Sequence, residues 1–279
     1  MRSFCLAMAL AAAIPMLPSL ARAQQAPADR KPLPAAPGSS DPKVRALIDD
    51  LVLADHILAR EGVLDAYGHV SVRSPTNPNH YFLARNVPAG TVTAEDVIEY
   101  DLDSKPVADT KYVGFLERYI HGEIYKARPD VNAVIHDHAP EVVTFSVIPT
   151  PLRPMAHMAA FLGDNVPIFD IRAADQSGNM LIGNSALGAA LAKSLGNNPA
   201  ALLRGHGAVV VAESLHVVTG RAYYMNANAR ELEQALLLSN GKVTYLNPAE
   251  EKNQAAQDGF ERAWTLWKKD EPPADNASH

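Results

Sequence analysis

Hydrophobic positions along the chain fall into two rhythms, one helical and one alternating, and their succession predicts an α/β layer structure. Val44, Leu47, Ile48, Leu51, Ala54 and Leu58 recur at three- and four-residue steps before Gly62, which gives one apolar face to a first helix. Asp41 suits its N-cap and Pro42 its first turn, where a missing amide hydrogen costs little. Short β-rich runs follow at residues 69–73, 81–84 and 97–102, with turn residues such as Asp103-Ser104-Lys105 between or after them; they are predicted as neighbouring strands. Helical spacing returns with Leu116, Ile120 and Ile124 in residues 115–127 and stops at Arg128-Pro129-Asp130. A strand is then predicted over residues 131–138.

Further on, Pro140 starts a short helix over 141–147, residues 166–171 form another strand, and a helix over 187–195 closes at Gly196. Residues 201–211 read as one apolar strand interrupted by a histidine between two glycines. Ser214 is placed to cap a long helix to about Leu238, with Val217, Ala222, Met225 and Leu232 toward the sheet. Residues 250–267 read as a last helix presenting Phe260, Trp264 and Trp267. No internal repeat is found. The expectation is a single α/β domain over residues 42–248, with a central mixed, mainly antiparallel sheet covered by helices, followed by a C-terminal helix and loose tail over 249–279.

The N-terminal stretch changes the picture of where the chain works. Arg2, a largely apolar run from Phe4 to Leu20 and the small-x-small sequence Ala21-Arg22-Ala23 read as a secretory signal over 1–23, so a periplasmic mature protein with no membrane anchor is expected. Residues 24–41, rich in Ala, Pro and Gln, read as a disordered linker. The sole cysteine, Cys5, would leave with the leader, which removes thiol chemistry. The formal net charge is −6, and losing Arg2 and Arg22 makes it more negative by two. An acidic chain without a basic block is a poor candidate for nucleic acid.

Candidate chemistry concentrates in FLERYIHGEIYKARPDVNAVIHDH, residues 115–138. On a strand, His136 and His138 point to the same face and together grip one cation. A stable divalent site needs three or four ligands. His206, flanked by Gly205 and Gly207 that let backbone approach closely, is the third candidate. Glu117 and His121 lie one helical turn apart upstream of the pair.

The motifs RPDVNAVIHDHAP, LLRGHGAVVVAESL and GHVSVR make residues 43–240 resemble the class II aldolase/adducin family. The resemblance implies a class II aldolase/adducin-like fold and a divalent metal, commonly zinc or manganese, on His136, His138 and His206. Iron occupies the same site in some relatives. It also implies a small-molecule substrate, a homotetramer with sites at subunit boundaries, and Glu117 as general acid/base or further ligand. Where sugar-phosphate aldolases carry Gly-Asn and a Ser-Ser pair, this chain has Gly68-His69 and Phe115-Leu116, which removes donors suited to a phosphate. DAYGHVSVR, YIHGEIYKARPDV and PLRPMAHM look closer to the metal-dependent hydroxy-carboxylate decarboxylases. Arg73, Ser71, His69 and His157 are candidates for binding substrate, and His121 either orients Glu117 or faces solvent. Three functions compete: a C–C lyase acting by decarboxylation or retro-aldol cleavage, a non-catalytic adducin-like binding protein, and an iron-dependent oxygenase.

Overall fold

The computed structural model describes residues 40–257 and 259–270, so the predicted leader, most of the linker and the end of the tail lie outside the described residues. The first helix, α1 (Pro42–Arg60), starts as its sequence dictates: the Asp41 carboxylate accepts the Lys43 amide at 2.8 Å, and Pro42 occupies the first turn. Its apolar stripe, Val44, Ile48, Leu51, Ala54 and Leu58, is buried.

Seven strands form one sheet: β1 (His69–Arg73), β2 (His80–Ala84), β3 (Val97–Asp101), β4 (Ala133–Asp137), β5 (Ile168–Phe169), β6 (Ala200–Leu203) and β7 (Gly207–Ala212). Their order is β3-β2-β1-β4-β7-β6-β5. Every pairing is antiparallel except β5 with β6, which is the mixed, mainly antiparallel sheet that the sequence predicts. Period-two alternation divides the strands between two cores. Val70, Val72, Ile135 and Val210 pack under α1, α3 (Pro140–Phe145) and α5 (Leu215–Leu238). Val134, Val209 and Val211 pack on the opposite face, under α2 (Arg118–Ala127) and α4 (Ser185–Leu195). Gly188 lets these two helices touch, because a Cβ there would meet the Tyr119 carbonyl oxygen at 2.5 Å.

Several predicted elements are corrected. Residues 201–211 are a hairpin, not one strand: Gly205 takes φ +63° and the His206 amide returns to the Leu203 carbonyl at 3.0 Å, which only a residue without Cβ adopts readily. The strand predicted at 166–171 shrinks to Ile168–Phe169. Helix α2 begins at Arg118, so Glu117 is its N-cap residue and not an interior one. Ser214 precedes α5 but its side chain makes no capping bond.

The single C-terminal helix is in fact two, α6 (Pro248–Ala255) and α7 (Glu261–Asp270). Phe260, at φ +57°, breaks them and lays its ring into the space left by Gly220 of α5. Of Phe161, Leu162, Trp264 and Trp267, which by hydrophobicity alone would seek a partner subunit, all but the partly buried Trp264 are already covered within the chain.

Candidate metal centre and its cavity

The site forms at one end of the sheet, where three strand ends and a helix start converge. β4 turns His136 toward the α2 face and Asp137 away from it, and His138 follows immediately after the strand ends. Register brings the other pieces in: His69 pairs with His136 across β1 and β4, and Asp137 pairs with Ala208 across β4 and β7. His206 therefore arrives beside the pair from the β6–β7 turn. Gly207 is required for that approach, since a Cβ there would overlap the carbonyl oxygen of Asp137.

The three imidazoles aim their Nε2 atoms at one point. Nε2 of His138 lies 3.1 Å from that of His136 and 3.2 Å from that of His206, and Glu117 Oε2 lies 3.6 Å and 3.5 Å from His136 and His206. Ligands about 2.0–2.1 Å from a tetrahedral divalent cation stand roughly 3.3–3.4 Å apart. The four atoms lie within 4.8 Å of one another, so the donor set fits such an ion.

Tautomers agree with that fit. The imidazole Nδ1–H of His136 donates to the Ala208 carbonyl at 2.9 Å and that of His138 to Asp65 Oδ1 at 3.1 Å. With the hydrogen held on Nδ1, each ring presents Nε2 as the ligand atom toward the cation position once that nitrogen is deprotonated. The buried Nδ1 of His206 has no hydrogen-bond partner among the described residues.

Electrostatics favour the ionised carboxylate but not a bare imidazole at His136, where burial lowers the pKa and the hydrogen bond and charge of Glu117 outweigh it and raise it. Burial pushes the Glu117 carboxyl upward, but hydrogen bonds and charge from His136 and His206 outweigh it and hold the pKa well below the ordinary range. Its Oε1 accepts the Ile182 amide at 2.8 Å. Burial, followed by the neighbouring His136, lowers the pKa of His138. Asp137 is different: it is wholly enclosed, with one oxygen unbonded, and burial raises it to about 7 against the pull of the Ala139 amide.

Glu117, His138 and His206 line a cavity of about 480 Å³, while the fully buried His136 is not part of its lining; the volume is within the range of small-molecule sites. Tyr67, Phe115, Leu116, Met180 and Leu181 form its apolar wall, and among the described residues no Lys or Arg lines it.

Not all the candidates meet there. His69 lines the cavity. Ser71 points to the same sheet face but is fully buried, bonded to His121 and Tyr125. Arg73 is two residues further along β1, away from the cavity, and is committed to the backbone carbonyls of Val131, Pro78, Tyr125 and Arg128. It is a structural clamp and does not reach a cavity ligand. His157 is exposed at the start of a 3-10 turn and does not line the cavity.

His121 neither orients Glu117 nor faces solvent. It is buried, its pKa lowered to about 3 by burial and then by His136, and it bonds His69 and Ser71. Asp65 went unrecognised in the sequence. It accepts the Tyr67 and Gly68 amides at 2.8 and 2.9 Å while orienting His138. The Asp-x-Tyr-Gly sequence, a turn signature, was the available signal.

A family model, "Class II Aldolase and Adducin N-terminal domain", matches residues 49–232. The chain belongs to this family. Its relatives include a protein named decarboxylase tropJ from Talaromyces stipitatus, 35% identical over 76% of this chain and 89% of its own length. Another is a 3,4-dihydroxyphthalate decarboxylase from Arthrobacter keyseri, 30% identical over 59% of this chain and 68% of its own. Among solved structures, an aldolase II superfamily protein from Pseudomonas syringae superposes with TM-score 0.68 at 19% identity, covering 82% of this chain and 93% of that one. That likeness concerns the family fold, a mixed sheet with helices on both faces.

Proposed function

We propose that the protein is a divalent-metal-dependent carbon–carbon lyase, and specifically a decarboxylase of a small, non-phosphorylated aromatic hydroxy-carboxylate. The observation that carries this reading is the pairing of a four-atom cation-binding set with an apolar, aromatic cavity that no Lys or Arg among the described residues lines. A phosphate would find no charged fork there, whereas a ring finds Phe115, Leu116 and Leu181. The decarboxylases similar to this chain support the same reaction class.

His136, His138 and His206 would hold the cation, with Glu117 in reach of it. When bound, a divalent ion supplies charge stabilisation for the electron pair released as the carboxylate departs. The chain's own residues do the rest. Ionised Glu117, fixed by the Ile182 amide, accepts the proton of the substrate hydroxyl. The bond between ring carbon and carboxylate breaks, CO₂ leaves, and the electron pair stays with the ring. Glu117 then returns its proton to that carbon, leaving a phenolate, so atoms and charge balance with no added reactant. Returning that proton to carbon requires water to be kept from competing for it, which the apolar wall does only when it is closed over, since Tyr67 and Leu116 are exposed.

The reading is tested on the full-length protein reconstituted with Zn²⁺ or Mn²⁺ and offered a panel of hydroxylated aromatic carboxylates, with CO₂ release measured with and without oxygen. Oxygen-independent release, lost together with bound metal in His136→Ala, His138→Ala and His206→Ala, is expected. Full metal occupancy without release across the panel, or strict oxygen dependence, overturns it.

A further inference from the structure

Behind the cavity wall runs a chain of side-chain hydrogen bonds to which the reaction above assigns nothing. His69 Nδ1 lies 2.7 Å from His121 Nε2, His121 Nδ1 lies 2.6 Å from Ser71 Oγ, and Ser71 Oγ lies 2.8 Å from the Tyr125 hydroxyl. All four residues are at most 2% exposed. Only the His69 end meets the cavity. The chain spans β1 and α2, and its members sit on one sheet face because residues 69 and 71 alternate with the apolar Val70 and Val72.

Such a chain can be ordered in three ways, and the hydroxyl hydrogens of Tyr125 and Ser71 decide between them. Each bond needs one hydrogen. If Tyr125 donates to Ser71, Ser71 donates to His121 Nδ1 and His121 Nε2–H donates to His69 Nδ1; every buried hydrogen is then used. His69 must carry its own hydrogen on Nε2, the ring nitrogen that the chain leaves over. In the reverse polarity the buried Tyr125 hydrogen has no acceptor among the described residues, and where Ser71 accepts from both His121 and Tyr125 its own hydroxyl hydrogen has none there; an unmet buried donor is the more costly state.

We propose that the Tyr125–Ser71–His121 chain fixes His69 as a neutral Nε2–H donor directed into the cavity, where it bonds a substrate oxygen and orients the ring against the cation site. His121, Ser71 and Tyr125 are positioning residues, and His69 is the one that touches substrate. The contact with substrate rests on the decarboxylase reading. The tautomer does not.

The decisive measurement is two-bond ¹H–¹⁵N correlation of ¹⁵N-histidine in the full-length Zn²⁺-loaded protein, with ring signals assigned by single His→Gln variants. Both His69 and His121 should show a hydrogen on Nε2 and a bare Nδ1. Ser71→Ala removes the link, and His69 should then become a mixture of tautomers. Tyr125→Phe, a gentler change, should weaken the preference with zinc content unchanged. A wild-type His69 protonated on Nδ1 overturns the proposal. So does an unaltered His69 tautomer in whichever of the two variants is folded and zinc-loaded.

For the substrate contact, 2,3-dihydroxybenzoate serves as the probe. His69→Leu should weaken its Kd by about 10–100-fold at full zinc occupancy, with partial recovery in His69→Gln, which restores an N–H donor. An unchanged Kd in His69→Leu overturns the contact. If the wild-type protein ignores this and every related hydroxybenzoate, the decarboxylase reading and the contact fall together, while the tautomer result stands on the spectra alone.

Discussion

At the residue scale, Glu117 separates a proton carrier from a ligand. Its Oε1 is held by the Ile182 amide and its Oε2 faces the His136 and His206 nitrogens, so the one carboxylate can serve either role. Glu117→Gln keeps the size and an acceptor for Ile182. If the residue moves protons, metal content stays near normal and turnover falls by about 10²–10⁴; if it is a fourth ligand, metal is lost as well. Metal stoichiometry and turnover on the same preparation distinguish the two, and the first outcome is expected. Full metal with unchanged turnover would remove Glu117 from both roles.

A second residue prediction concerns Asp55, buried in α1 with Oδ1 at 3.3 Å from the Val70 amide and Oδ2 unbonded. Burial raises its pKa well above 3.8, against the weaker pull of Val70. The folded state therefore keeps this proton to a higher pH than the unfolded chain does. The associated stability is full below about pH 4 and is lost as pH rises through the raised folded value. Asp55→Asn removes that slope while leaving an acceptor, so urea midpoints should shift in favour of the variant as pH rises. A difference that is constant with pH would refute the assignment.

His136 and His138 were legible as a pair because alternate positions along an extended segment share a face, a rule that needs only local sequence, whereas His206 was picked out by its flanking glycines in a run that is in fact a hairpin turn. The fate of Arg73 was not legible. A guanidinium two residues along the same strand face satisfies the alternation equally well, and only tertiary packing gives it four carbonyls in place of a ligand.

At the scale of elements, the β6–β7 turn tests why a glycine stands on each side of His206. Gly205 has a positive φ of 63°, but a Cβ there would meet only Met180 and Val147 at 3.6 and 3.7 Å, ordinary contacts. Gly205→Ala should cost about 1–2 kcal/mol from the left-handed backbone alone and leave metal binding intact. Gly207→Ala instead drives a methyl into the Asp137 carbonyl. It should cost about 3 kcal/mol or more and release the metal by spreading β4 from β7. Urea unfolding and zinc stoichiometry of the two variants check this, and equal effects would contradict the packing argument.

Elements with strong caps, such as α1, were readable in sequence. The hairpin was not, since an apolar run carrying Gly-His-Gly satisfies a bulged strand as well as a turn. The break between α6 and α7 was hidden for a different reason. A phenylalanine at positive φ is unfavourable locally and is held there by the socket at Gly220, a long-range contact that periodicity cannot register.

At the scale of the whole molecule, apolar surface remains after the chain has covered what it can. Leu237 and Leu238 at the end of α5 are 77% and 90% exposed, and Tyr67 and Leu116 at the cavity are 70% and 51% exposed. The last two matter most: a cavity wall made of half-exposed large apolar side chains admits water unless something closes over it, and the proposed reaction depends on excluding water from a proton transfer. A second copy of the chain laid across the cavity mouth would supply the closure, and closed symmetry would repeat it around a ring. We therefore expect a cyclic homotetramer whose activity requires assembly. Light scattering across a dilution series, read beside turnover, is the check. Mass and specific activity should fall together as the protein dissociates. A fully active monomer at low concentration would contradict both the assembly and the shared closure of the site.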